Sequence, residues 1–198
     1  MGIEQGAWPD RRLYPFPTRR VVVEGAAMSF AEMGSGPGVV LVHGTPTWDD
    51  DPGMQRKAKV AGSWLGRWMY RALNASPRFL LPMGYANRTR LTPEVHRQYL
   101  DAFPDPDSRE RVLFSLARSM LESRGYLASL WDRRSGLVGV PMTLMWGMKD
   151  PAFGPAILRR WRDAFPAASV REFADAGHWP HEEEPVAFAD ALKKAVQP

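Results

Sequence analysis

The sequence contains no cysteine. That excludes disulfides, thiolate metal sites and a cysteine nucleophile, and it leaves the redox compartment open. No apolar run is long enough to span a membrane, and the N-terminus carries no apolar stretch of the kind a signal peptide needs. A cytoplasmic protein with no membrane partner is therefore the default expectation. Internal repeats and low-complexity tracts are absent as well. Charge is not concentrated: the net +4 is spread over many segments, and only 56–71 and 158–162 are locally basic. Diffuse charge of this size points to solubility and away from nucleic acid. No His and carboxylate residues stand at metal-ligand spacing, and no glycine-rich phosphate loop occurs, so no metal or cofactor is expected. One further absence concerns chemistry. A serine hydrolase elbow reads Gly-x-Ser-x-Gly, and none is present. Gly62-Ser63-Trp64-Leu65-Gly66 has its serine one place early, and Gly34-Ser35-Gly36-Pro37-Gly38 is a loop between two predicted strands.

What is present describes a folded chain. Its 198 residues suffice for one domain, with room for a small inserted one. At 44% hydrophobic and 11% aromatic content, disorder throughout is excluded. Residues 20–23 and 27–31, separated by Glu24-Gly25, read as a β-hairpin. Val39-Val40-Leu41-Val42 is a continuous β-branched and apolar run, as in a strand buried on both faces of a mostly parallel sheet. From 49 to 135 the pattern turns helical, broken by Pro and Gly. Val60, Trp64 and Trp68 form one apolar stripe on a helix over 56–71, which predicts a cap element facing its own core. Thr92 is a candidate N-cap with Pro93 at the first helical position, the helix ending near Phe103-Pro104. Asp107 with Glu110 reads as a capping box opening a helix towards Ser123, with Gly125 as its stop. From Val140 an α/β rhythm returns: a strand over 142–146, a helix over 155–164, a strand over 169–173 and a helix over 184–196.

The candidate site residues stand at the ends of these predicted strands. Asp150 follows the first of the last two strands and His178 the second, one strand–helix–strand unit apart. Adjacent strands lie about 4.8 Å apart, so residues just past their carboxyl ends can meet as acid and base. A carboxylate bonded to one ring nitrogen fixes the histidine tautomer and leaves the other nitrogen free to accept a proton. The bland alternative is a loop aspartate and a histidine satisfied in a turn. After the buried strand comes His43-Gly44-Thr45-Pro46-Thr47-Trp48. The backbone N–H of Thr45 is the candidate oxyanion donor, and His43 reads as structural. Trp48 is a candidate halide or substrate contact through its indole N–H; for Trp64 and Trp68, as for Trp48, packing in a cap is the better reading. His96 and His181 are expected to face solvent.

Taken together, these motifs resemble the haloalkane dehalogenases of the α/β-hydrolase superfamily. The likeness rests on Val42-His43-Gly44-Thr45-Pro46-Thr47-Trp48, Trp146-Gly147-Met148-Lys149-Asp150 and Ala174-Asp175-Ala176-Gly177-His178, with 91–105 similar to the family's cap. It covers most of the chain from Val21 to Val196. The His-Gly motif alone is shared with epoxide hydrolases and esterases. The resemblance implies an α/β fold: a truncated α/β-hydrolase sheet, mostly parallel, with a helical cap. Residues 1–48 and 136–198 would form the discontinuous core and 49–135 the cap. It also implies a reaction in which an elbow aspartate displaces halide from carbon, forming an alkyl ester that a histidine-activated water hydrolyses. His178 maps onto that base and Asp150 onto its partner. The nucleophile maps onto no residue, because Trp48 runs straight into Asp49-Asp50-Asp51-Pro52.

About 100 residues of strand–helix units are missing there by the family's pattern. A chain with this gap is expected to be inactive alone. If active, it would take a haloalkane-like small molecule. Strands that lose neighbours leave unpaired backbone groups costing about 1–3 kcal/mol each when buried, against a net stability of about 5–15 kcal/mol. A closed-up sheet, or self-association through exposed sheet edges, is the expected result. Two rivals remain. Asp49, Asp50 or Asp51 could replace the nucleophile, although three adjacent carboxylates read better as a solvated loop. Alternatively, the Trp-rich basic helix over 56–71 could serve a non-catalytic module on a partner or an anionic membrane.

Overall fold

Two short sheets and a set of helices between them make up the part of this computed structural model that is described, namely residues 12, 15–23, 26–31, 34–35 and 59–196. The predicted strand over 39–42, the oxyanion motif and Asp49–Asp51 lie outside the described residues. Strand β1 (Thr18–Val23) pairs antiparallel with β2 (Ala26–Ala31), from Thr18 opposite Ala31 to Val23 opposite Ala26. The two strands of the predicted hairpin thus pair. No strand occurs among the described residues between 59 and 142.

Helix α1 (Trp64–Leu73) starts at Ser63, whose side chain accepts the Gly66 N–H, and stops at Asn74 in the left-handed conformation (φ 51°). This corrects the expectation of one helix over 56–71: the helical residues 59–61 end in a turn at Gly62, and a new helix begins after Ser63. It also corrects the expected packing. Trp64 is 80% and Trp68 53% exposed, while Gly66 and Tyr70 form the buried side. The reason is the close approach at Gly66, where a Cβ would lie 2.1 Å from the Ala61 carbonyl oxygen. The preceding turn sits on that face, and the tryptophan stripe turns outward. Tyr70 instead joins Leu113 and Ala117 in a small core, with Phe103 and Phe114 against it. Arg67 and Arg71 bind Glu110, and Arg71 also binds Asp107 at 2.5 Å.

Those contacts explain a second correction. Asp107 and Glu110 make no capping box. The cap is Asp105, whose carboxylate accepts the Ser108 N–H at 2.8 Å, with Pro106 at the first helical position. The chain then runs helically through a wider turn (Glu110–Phe114) into α3 (Ser115–Glu122), and Gly125 lies inside α4 (Arg124–Asp132) rather than ending a helix. Before them, α2 (Pro93–Asp101) is capped by Thr92 as the sequence indicates.

The last third is one β–α–β unit and a closing helix. Strand β3 (Thr143–Gly147) pairs parallel with β4 (Ser169–Phe173), with α5 (Pro155–Ala164) crossing between them. A one-turn helix (Pro180–Glu183), which the sequence pattern did not indicate, precedes α6 (Pro185–Val196). Leu144, Leu158, Phe165, Phe173 and Ala176 are buried here, and the Phe173 ring meets Phe188 of α6 at 5.6 Å.

Candidate functional site

The carboxyl ends of β3 and β4 approach unusually closely. Beyond the ladder, the Met148 N–H donates to the Phe173 carbonyl and the Lys149 N–H to the Ala176 carbonyl, each at 3.0 Å. A Cβ on Gly147 would lie 1.8 Å from the Gly177 carbonyl oxygen, so only glycine permits the approach. This contact brings the residues that follow each strand together. The His178 Nδ1 lies 2.8 Å from Asp150 Oδ2. Asp150 Oδ1 accepts the Ala152 N–H at 2.7 Å.

Both side chains are sheltered, Asp150 at 8% and His178 at 20% exposure. The histidine ring stacks on Phe153 and stands edge-on to Trp179, with centroids 5.5 and 4.6 Å away. Among the described residues no hydrogen-bond partner reaches His178 Nε2. Since an ionised aspartate can only accept, Nδ1 carries the proton in the neutral ring and Nε2 is left as the basic atom.

Burial pushes the Asp150 carboxyl up, but the His178 hydrogen bond and the backbone N–H groups of Phe153 and Ala152 outweigh it and hold the group below the usual carboxylate range. A folded-state value below the unfolded one contributes stability that is present above the unfolded value of 3.8 and lost as pH falls through the folded value. Replacing Asp150 with Asn is therefore expected to flatten the acid side of a plot of melting temperature against pH, below about pH 4. Equal slopes in both proteins would show that Asp150 is not held ionised by these partners.

The other candidates fall elsewhere. Thr45 and Trp48 lie outside the described residues. His96 is half-buried, with its Nε2 2.8 Å from the Pro77 carbonyl oxygen. His181 is exposed, beside Glu182 and Phe188. No group of three or more His, Cys, Asp or Glu among the described residues could hold a metal ion. No described helix is long and apolar enough to cross a membrane.

Comparison with known proteins follows the same lines. A family profile described as alpha/beta hydrolase fold matches residues 37–185. An uncharacterized protein of Mycobacterium tuberculosis is 25% identical over 95 residues, covering 48% of this chain and 28% of that protein. Haloalkane dehalogenase 2 of the same species is 22% identical over 278 aligned positions, covering 93% of this chain and 96% of that enzyme. Among solved structures, the haloalkane dehalogenase DatA from Agrobacterium tumefaciens C58 superposes with a TM-score of 0.60 at 22% identity, over 73% of this chain and 50% of that one. The chain thus spans 28% of the first of these relatives and half of the solved dehalogenase.

Proposed function

Because the chain belongs to the α/β-hydrolase fold family, we propose that it is a haloalkane-dehalogenase-like member that keeps the base half of the reaction and lacks the nucleophile. The observation that carries this reading is the His178–Asp150 pair, with Nδ1 tied to the carboxylate at 2.8 Å and Nε2 without a hydrogen-bond partner among the described residues. In the family reaction such a base draws a proton from water. The water attacks the carbonyl carbon of an aspartyl alkyl ester, and the alcohol leaves with the carboxylate regenerated. Nothing in the sequence forms that ester, since no aspartate or serine stands on a glycine-flanked elbow. The alignment with the dehalogenase of M. tuberculosis is compatible with this account: 278 aligned positions against 198 residues here leave at least 80 positions (278 − 198) with no residue of this chain. The proposed layout is a discontinuous core of 1–48 and 136–198 with a cap of 49–135, in a cytoplasmic protein inactive by itself. Exposed sheet edges offer a route to self-association, and a small haloalkane is the substrate class if activity is restored.

A replacement nucleophile at Asp49, Asp50 or Asp51 would betray itself as a trapped ester once hydrolysis is blocked. A His178→Phe variant incubated with 1,2-dibromoethane and digested for mass spectrometry is expected to show no adduct on the peptide containing these aspartates. An added haloalkyl mass there would overturn the proposal.

A further inference from the structure

Glu183 is 3% exposed, an unusual place for a carboxylate. Both of its oxygens are used. Oε1 accepts the Gly177 N–H at 2.7 Å, and Oε2 accepts the Asn87 N–H at 2.8 Å. The next amide along, that of His178, donates to the Gly84 carbonyl at 2.7 Å. The His178 amide is therefore anchored directly to residues 84–87, far away in sequence, and the Gly177 amide is tied to the same stretch through Glu183. Glycine is needed at 177, and at 84 a side chain would press on Trp179, whose Nε1 would lie 2.6 Å from the added Cβ. A Cβ on Gly177 would lie 2.2 Å from the Gly84 oxygen, and one on Gly84 would lie 3.2 Å from His178 Cβ. The neighbouring Glu182 reinforces the seam by accepting the hydroxyls of Tyr85 and Tyr99, and the Trp179 indole N–H donates to the Leu81 carbonyl at 3.3 Å.

We propose that Glu183 is the positioning residue of the base: its carboxylate bridges the Gly177 and Asn87 amides and thereby fixes the loop that aims His178 at Asp150. The inference rests on reading His178 as the family's general base, and it adds what holds that base in place when the nucleophile segment is absent. Two charge-assisted bonds from backbone donors are shorter and stronger than neutral ones. They immobilise the backbone on the N-terminal side of His178, while the bond to Gly84 immobilises its own amide. A glutamine in place of Glu183 cannot do this. Its oxygen can serve one amide, but its NH2 then meets the other, donor against donor.

The experiment reads the tautomer of His178 directly, by nitrogen-15 NMR of histidine-labelled protein, the four histidines being assigned by single substitutions. In the unaltered chain the neutral ring should be a single Nδ1–H tautomer. Glu183→Gln should lose that single form to an exchanging mixture and should speed exchange of the Gly177 amide by about tenfold, as loss of one strong hydrogen bond implies. Glu184→Gln, which removes the same charge one residue along, should change neither. An unaltered tautomer in folded Glu183→Gln protein would overturn the proposal. Failure of the base reading looks different: the wild-type tautomer would then be insensitive to Asp150→Asn. If Glu183→Gln does not fold, hydrogen exchange of the unaltered chain in mild urea decides. Opening of the Gly177 and Asn87 amides should coincide with loss of the single tautomer, and a tautomer that survives their opening would reject Glu183 as its cause.

Discussion

Gly147→Ala is expected to separate the base pair. The added methyl would lie 1.8 Å from the Gly177 carbonyl oxygen and 2.8 Å from that of Ala176, both backbone atoms that cannot swing aside. Forcing atoms into so close a contact costs about 1–3 kcal/mol, and more where backbone must move. Any relief pushes the β4 loop away from the β3 loop, and the 2.8 Å bond between His178 and Asp150 spans that gap. The variant should melt lower and lose the deshielded Nδ1 proton of His178. Gly125→Ala is the matched control, since nothing lies within 4 Å of its Cβ position in α4. It should be neutral or stabilising by up to about 1 kcal/mol. Equal melting of the two variants would show that the strand ends do not approach as described.

The other large effect is expected at Phe173→Ala. Phe173 is 1% exposed, stacks near Phe188, and its carbonyl accepts from both Met148 and Ala176. Removing a buried phenyl ring costs about 3–5 kcal/mol, a large share of the about 5–15 kcal/mol that holds a domain together. Denaturant unfolding should show that loss or no folded baseline at all. Val186→Ala, at a site 75% exposed, should change stability by less than about 0.5 kcal/mol.

The terminal β–α–β unit was legible because its signals are local. Pro155 opens a helix that ends at Ala164, the apolar run ending at Trp146 makes a strand displaced by one residue from its reading, and 169–173 coincides with β4. The spacing of Asp150 and His178 likewise required only that adjacent strands be parallel. Periodicity misled at Trp64 and Trp68, because a stripe identifies a face without saying what covers it; the glycine at 66 decides that, through the turn folded onto it. The spacing of Asp107 and Glu110 imitates a capping box, but their partners Arg67 and Arg71 lie in another helix and the cap is Asp105. Glu183 was invisible for a related reason. In the run Glu182-Glu183-Glu184 it reads as solvated surface, and its bond to Asn87 closes a separation of 96 residues.

Halide release tests the central claim most directly. Purified chain, shown to be folded by a cooperative melt, is incubated with 1,2-dibromoethane and bromide is measured by ion chromatography. If, as proposed, the chain keeps the base and has no nucleophile to form the ester, bromide should not rise above the buffer control. Turnover that disappears in a His178→Ala variant would contradict the account, because it would require a nucleophile in this chain.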